Sequence, residues 1–170
     1  MLKMIFPTPD YAEQVMSYKK EFLDYGEEMA GVGSLRKSET FEDWLQSCTD
    51  NLTEETVRPG LVPASLFLAV DENDRLVGMI DIRHRLNEYL LQFGGNIGYS
   101  VRRSERRKGY ATEILALALN EAKKLGFDRV LITCDKENIG SARTILKNGG
   151  VLENEVPDKG RVTQRYWITL

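Results

Sequence analysis

Hydrophobic and polar positions alternate along the chain with two different periods, and the change of period marks the elements. Lys3 to Phe6 is a short apolar stretch stopped by Pro7 and reads as a first strand. Asp10 and Glu13 make a helix-start signal, and Val15, Tyr18, Phe22 and Tyr25 keep helical spacing to about Glu28. Gly31 and Gly33 interrupt the chain. Thr40 and Asp43 open a second helix carrying Phe41, Trp44, Leu45 and Cys48, and Pro59, Gly60 and Pro63 mark a loop.

A strand-rich stretch follows. Ser65 to Val70 is almost wholly apolar, Glu72-Asn73-Asp74 is a turn, and Leu76 to Ile82 returns as the second arm of a hairpin. Gly78 inside that arm predicts close packing or a bulge. Asn87 to Phe93 fits a short helix or an irregular segment ended by Gly94-Gly95, and Asn96 to Val101 is a strand. After Gly109, a stripe of Ala111, Ile114, Leu115, Ala118, Leu119, Ala122 and Leu125 predicts a long amphipathic helix, with Gly126 at its end. Val130 to Cys134 has the continuous apolar character of a strand buried on both faces. Strand, helix and strand in that order imply a right-handed crossover between parallel strands. Asn138 to Asn148 is a further helix, and Val151 to Val156 with Arg161 to Leu170 forms a terminal hairpin around Pro157-Asp158-Lys159-Gly160.

Composition changes this picture little. With 170 residues, 42% hydrophobic and 29% charged, one α/β domain spanning 1–170 is expected. No secretory pattern and no membrane-length apolar run is present, and Cys48 and Cys134 form no metal-spacing motif, so a cytoplasmic protein with reduced thiols is expected. Charge adds more. Residues 1–60 carry 12 acidic and 6 basic side chains, a balance of −6, while residues 61–170 carry 14 and 17, a balance of +3. The basic half suits an anionic ligand, and the acidic half suggests a cationic one.

The candidate chemistry lies in the stretch Val101–Leu125. Arg102, Arg103, Arg106, Arg107 and Lys108 precede Gly109 and the start of the long helix. A helix start leaves backbone N–H groups without partners and carries partial positive charge, so loop, glycine and helix together describe a site for phosphate or pyrophosphate. Without interleaved aromatics, and with an acidic chain overall, this basic run does not point to nucleic acid.

Arg106-x-x-Gly109-x-Ala111 fits the pattern [Q/R]-x-x-G-x-[G/A]. With a strand before it, a long helix and an apolar strand after it, and a later helix carrying Asn138 and Ser141, the order of elements resembles the GNAT superfamily of acyl-CoA-dependent N-acetyltransferases. The resemblance is strongest from Asn96 to Gly150. It implies a mixed, mostly antiparallel sheet in which one parallel pair, Asn96–Val101 with Arg129–Cys134, splays to admit acetyl-CoA. By position it implies that Ser100 and Val101 meet the pantetheine arm. Arg106, Arg107, Lys108, Gly109, Tyr110, Ala111 and Thr112 would hold the pyrophosphate, and Asn138 and Ser141 would lie near the acyl-CoA arm. The acceptor would be a small-molecule or peptide amine, with homodimers as a family tendency and no nucleic-acid or membrane partner.

Acetyl transfer needs a neutral amine, a cradle for an oxyanion and, in many members, a tyrosine that protonates the leaving thiolate. That tyrosine would stand seven residues after Asn138, where this chain has Ile145. For the base, Glu88 and His84 just beyond the third strand are the candidates. Asp81 alternates with Ile80 and Ile82, so it faces either solvent or substrate. The missing tyrosine keeps a second reading open, a CoA-binding sensor or assembly protein without turnover.

Overall fold

The computed structural model describes all 170 residues. Seven strands and four helices run in the order β1 (Lys3–Ile5), α1 (Ala12–Asp24), α2 (Phe41–Asp50), β2 (Ala64–Val70), β3 (Leu76–Arg83), β4 (Ile97–Val101), α3 (Tyr110–Lys124), β5 (Arg129–Asp135), α4 (Ile139–Lys147), β6 (Val151–Asp158) and β7 (Arg161–Thr169). The mixed α/β class and the element order match the expectation. Helix boundaries shift: α1 follows a 3-10 turn at Pro9–Tyr11, gains no side-chain cap from Asp10, and ends at Asp24 because Gly26 takes φ +63°. The second helix starts as predicted, with the Asp43 N–H donating to Thr40 Oγ1 at 3.1 Å. The undecided segment before β4 is a π-helical turn at Leu90–Gly94.

The strands form two antiparallel sheets, ordered β1-β2-β3-β4 and β5-β7-β6. This refines the expected single sheet with one splayed pair: β4 and β5 meet at their upstream ends and then separate. Asn96 makes the junction. Its backbone N–H donates to the Leu131 carbonyl at 2.7 Å, and its side-chain Oδ1 accepts from the Leu131 N–H at 2.9 Å. The π-helical turn beside the junction is tied to the second sheet, with Thr133 Oγ1 donating to the Phe93 carbonyl at 2.6 Å and Arg165 Nε to the Leu91 carbonyl at 2.9 Å. Turns of this kind often sit beside functional sites.

Two apolar clusters cover the two faces of the first sheet. Val15, Tyr18 and Phe22 of α1 pack with Trp44 of α2 and with Leu68 and Met79 of the sheet. Ile114, Leu115, Ala118 and Ala122 of α3 pack with Ile80, Ile82, Val130 and Ile132. Leu125, placed on the core stripe by spacing, is half exposed at the end of α3. Gly78 lies beside a register shift and lets α3 approach: a Cβ there would stand 2.5 Å from Ile114 Cδ1 and 2.7 Å from the Ser100 carbonyl oxygen. No helix is long and apolar enough to cross a membrane.

Candidate active site

Where β4 leaves β5 it exposes one backbone edge. The Arg83 N–H donates to the Asn96 carbonyl and the Arg102 N–H to the Val77 carbonyl, so even-numbered residues of this stretch pair with β3. By the alternation of an antiparallel ladder, Tyr99 and Val101 turn their backbone groups toward the gap, and Ser100 turns its own toward β3. The side chains divide as well. Ser100 Oγ is 2.8 Å from Tyr18 Oη on the α1 side, and Tyr99 Oη is 2.8 Å from Ser141 Oγ at the start of α4.

A cleft of about 920 Å3 follows this edge from β4 to the start of α3. Its walls include Tyr99, Ser100, Val101, Arg106, Arg107, Gly109, Tyr110, Ala111 and Thr112, with Asn138 and Ser141 opposite. Asn138 is the N-cap of α4, its Oδ1 accepting from the Ser141 N–H at 3.1 Å. Arg107 and Gly109 both adopt left-handed backbone, φ +64° and +82°, so the chain reverses sharply and presents successive N–H groups at the N-terminus of α3. A Cβ on Gly109 would meet nothing within 4 Å. Its φ, not crowding, is what favours glycine here, and the space above it is free for a ligand.

The basic residues of this loop do different jobs. Arg106 is held by its own protein: Nε donates to the Val101 carbonyl at 2.9 Å, and Nη1 and Nη2 reach Glu27 at 2.8 and 3.1 Å. Lys108 is exposed beside Gly109, and its Nζ is engaged by Glu105 at 2.7 Å. Arg102 is buried and pairs with Glu21 of α1 at 3.3 Å. Arg107 is exposed, lines the cleft and has no carboxylate partner. It is the cation left to meet an anion.

A second cavity of about 750 Å3 lies on the α1–α2 side of β4 and shares Met29 and Ala30 with the first. Asp81 is its only carboxylate. The side chain is buried, its Oδ2 accepting from Arg83 Nε at 3.1 Å and its Oδ1 from the Gly98 N–H at 3.2 Å. Gly31 crosses directly over Gly98: a Cβ on Gly31 would stand 2.4 Å from the Gly98 carbonyl oxygen, and one on Gly98 would stand 2.8 Å from Asp81 Oδ1. Sequence alternation left Asp81 open between solvent and substrate; the structure turns it to this cavity.

The two residues favoured for the base by sequence position are elsewhere. Glu88 is exposed and lines neither cavity. His84 Nε2 is 2.8 Å from Ser65 Oγ, outside both cavities, and burial lowers its pKa against the opposing pull of Glu54. Both follow the end of β3, where the chain bends away from β4 toward the loop before β2, with the His84 N–H on the Pro63 carbonyl. Ile145 is fully buried in the α3-side core. Sequence position did not single out Tyr99, which lines the cleft; burial pushes its phenol up to about 12 while the hydrogen bond to Ser141 opposes.

A parted strand pair, an open β4 edge and a loop at a helix start are the features that the resemblance to acyl-CoA-dependent transferases implies. The Acetyltransferase (GNAT) domain family matches residues 7–151, and the chain belongs to that family. Over 73 residues it is 30% identical to the uncharacterized N-acetyltransferase YjdG of Bacillus subtilis (strain 168), an alignment that spans 42% of this chain and 40% of that protein. Among solved structures it is similar to RimL, a ribosomal L7/L12 alpha-N-protein acetyltransferase in complex with coenzyme A, at TM-score 0.71 and 15% identity over 99% of this chain and 94% of that one. It is also similar to the spermidine N-acetyltransferase of Vibrio cholerae in complex with CoA and spermine, at TM-score 0.67 and 13% identity over 99% and 95% of the two chains. At these identities the likeness establishes the fold.

Proposed function

We propose that the chain transfers the acetyl group of acetyl-CoA to the primary amine of a small-molecule or peptide acceptor, directly and within a ternary complex. The observation that carries this reading is the backbone edge of β4 at Tyr99 and Val101, opened by the junction at Asn96 and leading to the N-terminus of α3. A pantetheine arm carries amides that pair with a strand edge, and a pyrophosphate suits the N–H groups at the α3 start with Arg107 beside them.

In this arrangement the neutral amine nitrogen attacks the thioester carbonyl from the side of the second cavity, and the carbon–sulfur bond breaks toward α4. The proton that the nitrogen loses balances the one gained by the departing CoA thiolate. Free N–H groups on the β4 edge face the place where negative charge develops on the carbonyl oxygen. The leaving sulfur lies on the side of the paired hydroxyls of Tyr99 and Ser141. With its phenol pushed up to about 12, Tyr99 stays protonated through the neutral range and can donate a hydrogen bond there. The buried Ile145 takes no part.

Free-thiol release from acetyl-CoA across a panel of primary amines tests the reading. Amine-dependent thiol release supports it. CoA binding with no turnover on any amine would favour a sensor. The spermidine and ribosomal-protein enzymes named above act on unlike acceptors with one fold, so the fold does not choose the acceptor.

A further inference from the structure

The second cavity has a charge pattern opposite to the one that the N-terminal composition suggests. Its lining holds Arg36, Lys37 and Arg83 against Asp81 alone, a net positive balance. Arg83 and Asp81 pair with each other, which leaves Arg36 and Lys37. These two are adjacent and exposed at the cavity wall, and neither has a carboxylate partner. Arg36 is oriented by its own hydrogen bond, Nη2 to the Glu27 carbonyl at 2.6 Å, in the segment that borders both cavities. Two neighbouring cations repel one another, and an anion held between them offsets that repulsion.

Four of the twelve acids in the N-terminal half are tied to arginines of the other half. Glu21 pairs with Arg102, Glu27 with Arg103 and Arg106, Glu28 with Arg161 and Glu54 with Arg85. They tie the two halves of the chain together, and no acid of the N-terminal half lines the second cavity. The rest of the cavity is largely apolar, with Val62, Leu66 and Leu90 among its walls.

We infer that the acceptor is an amine that also carries an anionic group, a carboxylate on an apolar body. Its carboxylate meets Arg36 and Lys37, and its ammonium approaches Asp81, which has lone pairs to spare beyond those used by Arg83 and Gly98. Asp81 lies against Gly98, next to the β4 residues that face the first cleft, so an amine held there stands beside the acyl end of the donor. This rests on the acetyl-transfer reading above for the reaction, but the preference for an anion stands on the cavity itself.

Calorimetric titration of the CoA-loaded protein with matched amines tests it: L-phenylalanine against 2-phenylethylamine, and L-leucine against isopentylamine, with spermidine as a cationic comparison. The carboxylated member of each pair should bind about tenfold tighter or more, a difference on the scale of one charge-assisted contact. The double substitution Arg36→Gln, Lys37→Gln should bring the pair to parity while CoA affinity stays unchanged. Equal binding within the pairs, no binding of either member, a preference for spermidine, or a preference that survives the double substitution would each overturn the inference. If CoA itself does not bind, the acetyl-transfer reading fails, and the same titrations on the free protein still decide the anion preference.

Discussion

Asn96 closes a two-bond ring with Leu131, N–H to carbonyl at 2.7 Å and Leu131 N–H to Asn96 Oδ1 at 2.9 Å, and beyond that ring the sheets part. The side chain thus substitutes for a further residue of backbone pairing and sets where the cleft begins. Asn96 is 2% exposed, so the Leu131 N–H has no water to turn to. Asn96→Ala should lower stability by about 2–3 kcal/mol, the cost of a buried unsatisfied donor with a lost hydrogen bond. Denaturant midpoints measure this, and a loss below ~0.5 kcal/mol would show that the seam does not depend on the side chain.

Glu21 links α1 to the loop before α3. Burial pushes its carboxyl up, but the Ser104 N–H and hydroxyl and the Arg102 guanidinium outweigh that and hold it below the usual carboxylate range. A carboxyl whose pKa is depressed on folding stabilises the fold above its unfolded value, and that contribution is lost as pH falls through the folded value. Melting temperature should therefore drop as the pH is taken below the ordinary carboxylate range. Glu21→Gln should start lower at neutral pH and show a shallower acid slope. A parallel offset at every pH would contradict this assignment.

Arg106 and Arg107 are neighbours with different predicted phenotypes. Arg106 is bound to Val101 and Glu27, so Arg106→Ala should cost about 1–2 kcal/mol of stability by freeing the segment after α1 from β4. Arg107 touches no carboxylate, so Arg107→Ala should leave the melting temperature almost unchanged and weaken CoA binding by roughly tenfold, the scale of one charge-assisted contact, with a reduced salt dependence. Thermal melts and calorimetry separate the two. The reverse pattern would place the anion on Arg106.

How far the sequence carried this result depends on the length scale of each signal. The stripe on α3 and the apolar run of β5 are local and periodic, and both elements stand where the pattern puts them. The Thr40 cap is a three-residue signal and holds. The split into two sheets turns on one asparagine reaching a residue 35 positions away, which no local pattern encodes. The same holds for charge. Composition separated an acidic half from a basic half, but whether Glu27 faces a ligand or Arg106 depends on a contact 79 residues apart. Glu88 and His84 lie on a bend after β3 whose direction no periodicity fixes, whereas Tyr99 sits in a predicted strand and its face could have been read from alternation with Ser100.

In the proposed reading, the cleft between β4 and the start of α3 binds the nucleotide end of CoA. A calorimetric titration with CoA of the wild-type protein, Gly109→Ala and Gly109→Glu tests it most directly. Alanine at φ +82° costs about 1 kcal/mol of backbone strain without adding charge, and Gly109→Ala should bind within a few-fold of wild type. Glutamate adds the same strain plus bulk and a negative charge at the pyrophosphate position, and Gly109→Glu should lose CoA binding by a hundredfold or more while remaining folded. Wild-type affinity in a folded Gly109→Glu protein would contradict the placement.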